Sequence, residues 1–316
     1  MDRFRLFPEQ ASTFAPQTDG LLLYLLIVSV FFVMLIAGLI LFFMVHYRRR
    51  PNAEYRPEVH VPWSLEIAWT VIPFGISMVA FFWGAGLYAS LRRPPADALE
   101  VNVVGKQWMW KLQHMEGRRE IDELHVPLGR PVKITMTSED VIHGFYVPDF
   151  RVKQDAIPGR YTTVWFEATR PGTYPLYCSA YCGTLHSGML GHVVVMEPHD
   201  YQNWLSGGGG AAVVSTRSAG EDVFRAQGCP SCHEGGPGAR GPDLAGIFGK
   251  RVQLADGGSI VVDEGYLRES ILNPRAKVVA GFEPVMPTYQ GLVSEEDVMQ
   301  LIAYLKGLGP ATQGAR

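Results

Sequence analysis

Cys178-Ser-Ala-Tyr-Cys182-Gly-Thr-Leu-His186-Ser-Gly-Met189 gathers two thiols, an imidazole and a thioether into one loop. These are soft ligands that together suit copper, and because a single-copper electron-transfer centre needs only one cysteine, two invite a bridged pair of ions. Cys-x3-Cys-x3-His is also a tolerable spacing for structural zinc. Zinc, however, has no need of Met189, nor of His143 at the end of a strand-like run upstream.

Around this loop the chain from Pro95 reads as short β-prone runs, Val101–Val104, Val132–Met136 and Thr162–Phe166, broken by Gly129–Pro131, Pro158–Gly159 and Pro171–Gly172. That texture predicts a β-sandwich or barrel. Further upstream, Leu21–Val45 carries no charge, and at about 1.5 Å per residue it can cross a hydrocarbon core of roughly 30 Å. A second apolar run, Ile67–Ala89, is entered through Pro62, Trp63 and Ser64 and left through Arg92, Arg93, Pro94 and Pro95, which read as cap, interfacial anchor and stop. The two spans form a hairpin. Its loop holds Arg48, Arg49, Arg50 and Arg56, which favours a cytoplasmic loop, although Arg3, Arg5, Arg92 and Arg93 weigh on the other side. Mixed residues including Asp2, Glu9 and Asp19 precede the first span, so it is read as an anchor and not as a cleaved signal.

Downstream, Gly207 to Gly210 open a stretch with the composition of a flexible linker. Helical runs are expected around Ala219–Ala226, Tyr266–Leu272 and Glu295–Leu305. The four cysteines form two close pairs, each followed by a histidine, which points to metal or haem and not to disulfides. In the second pair, Gly228-Cys-Pro-Ser-Cys-His233 is a haem-attachment pattern, with Cys229 and Cys232 for the vinyl groups and His233 as axial ligand. A redox dithiol would call for a βαβ context that is absent from the pattern. Met286 and Met299 are the downstream methionines; Met286, in Glu283-Pro-Val-Met286-Pro287, is the expected sixth ligand, whereas Met299 falls inside a helical run and is expected to pack. A formal net charge of -3 offers no basic field for nucleic acid.

Three motifs in order, Asp140-Val-Ile-His143-Gly-Phe-Tyr-Val-Pro148, Lys153-Gln-Asp155-Ala-Ile-Pro-Gly159 and the cysteine loop, resemble the cupredoxin domain of cytochrome c oxidase subunit II. The resemblance implies a binuclear copper A centre held by His143, Cys178, the backbone carbonyl of Ala180, Cys182, His186 and Met189. The family usually has glutamate at the position of Ala180, reaching an interface magnesium, so that link is not expected through this residue. Gly105-Lys-Gln-Trp108-Met-Trp110 resembles the family's aromatic segment, which implies that electrons enter at Trp108; the plain alternative is a core tryptophan. Glu66 is either a first-turn acid or the glutamate lining a proton path. Gly241-Pro-Asp-Leu-Ala-Gly246 resembles the loop of class I cytochromes c whose proline carbonyl holds the haem histidine. His46, His60, His114, His125, His192 and His199 match no ligand position.

The expected layout is a membrane multi-domain chain. It comprises an N-terminal segment and transmembrane hairpin over 1–95, a cupredoxin-like copper domain over 96–205, a linker over 206–217 and an all-α class I cytochrome c domain over 218–316. The resemblance further implies one covalent haem c and two copper ions, oxidase subunit I and other oxidase subunits as partners, and a cytochrome c or a cytochrome bc complex as donor. It places the chain in a bacterial inner membrane, with both redox domains on the periplasmic face and the oxygen-reducing site in another chain. The corresponding subunit of a copper A nitric oxide reductase fits the same residues. A thioredoxin-like copper chaperone lacks the position of Met189 and any haem, and a quinol oxidase subunit would have lost the copper ligands.

Overall fold

The computed structural model describes residues 7–48, 61–206, 215–234 and 239–309. Arg3, Arg5, Arg49, Arg50, Arg56, His60 and the glycine run of the linker lie outside the described residues. The chain divides into two compact units, Thr13–Arg93 and the remainder.

The smaller unit is the helical hairpin: α1 (Ala15–His46) and α2 (Trp63–Leu91). Their 32 and 29 residues give lengths of about 48 and 44 Å, more than a hydrocarbon core requires. Both helices start ahead of their apolar runs. A proline in the first turn of α1 lacks the N–H that would go unpaired there, and Pro62 caps α2, so each helix begins at its backbone signal and not at its first apolar residue. The helices meet where Tyr24 donates its hydroxyl to the Ile76 carbonyl at 2.8 Å and its ring lies 6.1 Å from that of Trp83. Most other apolar side chains of both helices point outward, as expected of segments solvated by lipid.

In the larger unit ten strands form two five-stranded sheets. They are β1 (Leu99–Lys106), β2 (Met109–His114), β3 (Arg119–Ile121), β4 (Glu123–Pro127), β5 (Pro131–Ser138), β6 (His143–Val147), β7 (Val152–Ala156), β8 (Thr162–Glu167), β9 (Gly172–Cys178) and β10 (Leu190–Met196). One sheet runs β3-β2-β1-β5-β8 and the other β4-β10-β9-β6-β7. Alternation places Val132, Ile134, Met136, Val164 and Phe166 inward from the first sheet, and Phe145, Leu176, Val193 and Val195 inward from the second, with all nine buried. The three β-prone runs read from the sequence are β1, β5 and β8, neighbours in one sheet. The stretch before the hairpin joins this unit too. Ala11 donates to the Asp149 carbonyl and accepts from Thr169, and Ser12 bonds the Phe150 carbonyl.

The C-terminal part contains α3 (Pro198–Leu205), α4 (Thr216–Ala226), α5 (Pro230–His233), a hairpin of β11 (Arg251–Gln253) and β12 (Ser259–Val261), α6 (Glu264–Leu272) and α7 (Glu295–Gly307). Each longer helix begins at a side-chain cap: Ser215 accepts from Ser218, Asp263 from Tyr266, and Ser294 forms a reciprocal capping box with Asp297. Phe224, Tyr266, Leu267, Ile271, Val298, Leu301 and Leu305 close one core between α4, α6 and α7. The short β11–β12 hairpin is an addition to the all-helical expectation, in a glycine-rich connection whose turn uses Gly257 at positive φ.

This helical part sits on the outer face of the β3-β2-β1-β5-β8 sheet. Lys306 pairs with Glu100 (2.9 Å) and Glu264 (3.1 Å), and Lys133 with Glu100 (3.1 Å), so the four charges alternate in sign across the junction. Arg119 pairs with Glu296, Thr216 bonds the backbone of His114 and Met115, and Arg268 donates to the Gly159 carbonyl while pairing with Glu295.

Candidate metal centre and haem site

The copper loop leaves β9 at Cys178 and rejoins the sheet at β10, while His143 opens β6 next to β9. The two sulfur atoms lie 3.7 Å apart. That is far beyond the roughly 2.05 Å of a disulfide, yet less than twice a metal–thiolate bond of about 2.3 Å, so one ion can touch both sulfurs. Donors flank the sulfurs on both ends. His143 Nδ1 (4.0 Å) and the Ala180 carbonyl oxygen (3.2 Å) neighbour Cys178, while His186 Nδ1 (3.5 Å) and Met189 Sδ (3.9 Å) neighbour Cys182. His143, Cys178 and Cys182 are buried and group as possible metal ligands among the described residues. A tetrahedral zinc ion would use four donors, whereas the loop and His143 present six, arranged about a shared pair of sulfurs. The set fits two soft ions better than one zinc.

The surroundings hold the donors in place. Asp140 accepts from His143 Nε2 at 2.8 Å, which leaves Nδ1 as the free nitrogen toward the sulfurs, the usual carboxylate support of a metal-binding imidazole. Trp110 meets the His143 ring edge-on at 6.0 Å and Phe145 at 5.4 Å. A Cβ on Gly105 would stand 2.9 Å from His143 Cδ2, so this strand position has room only for glycine. Gln107 donates to the Cys182 carbonyl at 2.7 Å. Burial raises the pKa of Cys178, but the hydrogen bond to His143 and the backbone of Gly144 and Ala180 outweigh it and bring the thiol down. Burial and the adjoining Cys178 push Cys182 up. The protein alone therefore favours one thiolate, and the second proton leaves when metal binds.

Trp108 lies half-buried in the turn between β1 and β2, where a Cβ on Gly183 of the copper loop would come 3.3 Å from its indole. Trp110 is the fully buried core tryptophan. The bonds joining the helical part to the sheet fall on Glu100, His114, Met115, Arg119, Lys133 and Gly159. His114 ends β2, at the opposite end from the turn that carries Trp108, whereas Gly159 follows Pro158, which bridges to Ser138 beside Gly105 at the Trp108 end of β1. Glu66 stands in the first turn of α2.

In the helical part a cavity of about 470 Å³ is lined by Cys229, Cys232, His233, Pro242, Tyr266, Leu267, Ile271 and Met286, among others. Cys229 precedes α5 and Cys232 lies within it, so one short turn presents both thiols and His233 to the same space. His233 Nδ1 donates to the Pro242 carbonyl at 2.9 Å, which fixes the tautomer and leaves Nε2 for a metal. A Cβ on Gly241 would stand 2.8 Å from His233 Cε1, and so this glycine lets the loop close on the ring. Met286 reaches the cavity from a segment between α6 and α7, whereas Met299 is buried in α7 and lines the junction with the β-sheet. An apolar cavity with two thiols, an oriented imidazole and a thioether fits a covalently held haem. Asp140, Gly105 and Gly241 were given no role by the sequence reading; the one available signal was the place of each beside a ligand motif.

Two long apolar helices, a β-sandwich presenting a dithiolate metal loop and a c-type haem pocket define a membrane-anchored electron-transfer chain. Residues 3–83 match the transmembrane domain of cytochrome c oxidase subunit II, residues 114–197 its periplasmic domain, and residues 218–309 cytochrome c. Cytochrome c oxidase subunit 2 of Alkalihalophilus pseudofirmus is 30% identical over 305 residues, covering 92% of this chain and 86% of the relative. That of Thermostichus vulcanus is 32% identical over 255 residues, covering 63% and 77%. The crystal structure of the periplasmic domain of cytochrome oxidase subunit II from Bradyrhizobium japonicum shares 30% identity over 36% of this chain and 95% of that one, with a TM-score of 0.35. The chain belongs to the cytochrome c oxidase subunit II family and carries a fused cytochrome c domain. It is a subunit of a haem–copper terminal oxidase, a membrane protein whose β domain faces the periplasm.

Proposed function

We propose that this chain receives electrons at a haem c held by Cys229, Cys232, His233 and Met286. They pass to two copper ions held by His143, Cys178, the Ala180 carbonyl, Cys182, His186 and Met189, and on to subunit I, where oxygen is reduced to water. The observation that carries this reading is the shared pair of sulfurs with donors on both flanks, in the same chain as a cavity walled by two thiols and an oriented imidazole. When bound, haem and copper supply one-electron redox chemistry. The residues supply rigidity: Asp140, Trp110 and Gly105 hold His143 in one orientation, and the Pro242 carbonyl does the same for His233, so little in the ligand set need rearrange. Apolar walls such as Leu244, Ile247 and Leu301 keep water from the haem cavity, and a thioether at Met286 favours a high potential.

An external donor, such as a cytochrome c or a cytochrome bc complex, reduces this haem, and Trp108, whose indole lies against Gly183, is a further point at which electrons reach the copper loop. Both redox domains then stand on the periplasmic face of a bacterial inner membrane. Ala180 has no side-chain donor, so any interface magnesium lacks a carboxylate from this position. Oxygen uptake by the purified complex, fed with reduced cytochrome c, tests the proposal. Uptake that is lost on chelating copper supports it, and nitric oxide consumption without oxygen uptake would overturn it.

A further inference from the structure

We infer that Tyr161 is the bridge by which the helical domain passes its electron to the copper loop, a step that rests on the function proposed above. Tyr161 belongs to the β domain, one residue before β8, yet it packs against the core of the helical part. That core contains Tyr266, Leu267 and Ile271, which also line the haem cavity, so the core against which the ring packs extends to the cavity's wall. Arg268, next to Leu267 on α6, fixes this contact. Its guanidinium lies 5.8 Å from the Tyr161 ring centre and donates to the Gly159 carbonyl at 2.6 Å.

On the copper side the connection is short. Thr162, bonded to Tyr161, donates its hydroxyl to the Asp155 carbonyl at 2.5 Å. The following residue, Ala156, is the cross-strand partner of His143 in the β6–β7 pair. Ring, peptide, hydroxyl and strand ladder thus run from the helical core that borders the haem cavity to a proposed copper ligand.

The phenol itself stays out of the redox change. Its oxygen is buried with no hydrogen-bond partner among the described residues, and burial pushes its pKa far up. A tyrosine that lost an electron would have to shed its proton, and nothing here accepts it. The balance is one electron lost by the haem iron and one gained by the copper pair, with Tyr161 keeping its electrons and its proton.

The test uses the full chain in detergent, with both cofactor spectra verified first; a parent chain lacking either spectrum contradicts the function and not the bridge. After flash reduction of the haem, Tyr161→Leu should slow first-order transfer to copper by about tenfold or more, while Tyr161→Phe stays within about twofold. A parental rate in Tyr161→Leu, or equal slowing in both variants, would overturn the bridge. So would a slowed rate in Tyr161→Leu that varies with salt, because that reports undocking of the ion-paired junction instead. If Tyr161→Leu fails to load, 3-fluorotyrosine placed at 161 in the otherwise native chain should shift its fluorine resonance when the haem alone is reduced. An unmoved resonance counts against the bridge.

Discussion

In Glu283-Pro-Val-Met286-Pro287 the thioether lines the haem cavity, while Met299, thirteen residues on, is buried within α7 at the junction with the β-sheet. Met286→Ala should therefore abolish the sulfur-to-iron band of the oxidised haem, and Met299→Leu should keep it; the reverse spectra would show the ligand was misassigned. Met299→Ala should instead cost about 2–5 kcal/mol of stability, read by thermal unfolding, as a cavity opens in packed core. Cys178→Ser should remove the mixed-valence copper signal in electron paramagnetic resonance and leave the haem spectrum intact, because the two ligand sets share no residue. The donors were legible in the sequence since soft ligands at short spacing advertise themselves. Asp140, Gly105, Gly241, Tyr161 and Arg268 were not, because each does its work on a residue brought near only by the fold.

Among the elements, the junction between α6, α7 and the sheet depends on charge. Burial raises the pKa of Glu100 and Glu264, but Lys306 and Lys133 more than offset this and hold both carboxyls below their usual range. Burial lowers that of Lys306, but Glu100 and Glu264 bring it above its usual value. Depressed carboxylates contribute their full stability above the unfolded value of 4.5 and lose it as pH falls through their folded values. A raised lysine contributes fully below 10.5 and loses its share as pH climbs through its folded value. The junction should thus be firm between these limits and loosen on acidification below the carboxylate range. Lys306→Met should flatten that acid dependence and lower stability by about 1–3 kcal/mol at neutral pH, measured by thermal unfolding across pH. An unchanged acid limb would contradict the role given to these ion pairs. Strands β1, β5 and β8 and helices α4, α6 and α7 all announced themselves through β-branched runs, apolar periodicity and caps. The extra turns of α1 and α2 did not, since apolar composition marks where lipid begins and not where backbone hydrogen bonding does.

At the scale of the whole molecule, the chain strings membrane hairpin, copper-type β domain and cytochrome in an order that the motifs made readable from end to end. How the cytochrome meets the sheet was hidden, because it depends on outward-facing charges such as Glu100, Lys133 and Arg119, which carry no pattern along the chain. The proposed electron path requires that one chain hold a copper pair beside a covalent haem. Metal analysis of the purified full chain, taken together with its electron paramagnetic resonance, tests this most directly. Two coppers for each haem iron are expected, with a signal from one electron shared by both coppers. A single zinc ion, or one isolated copper per haem, would contradict it.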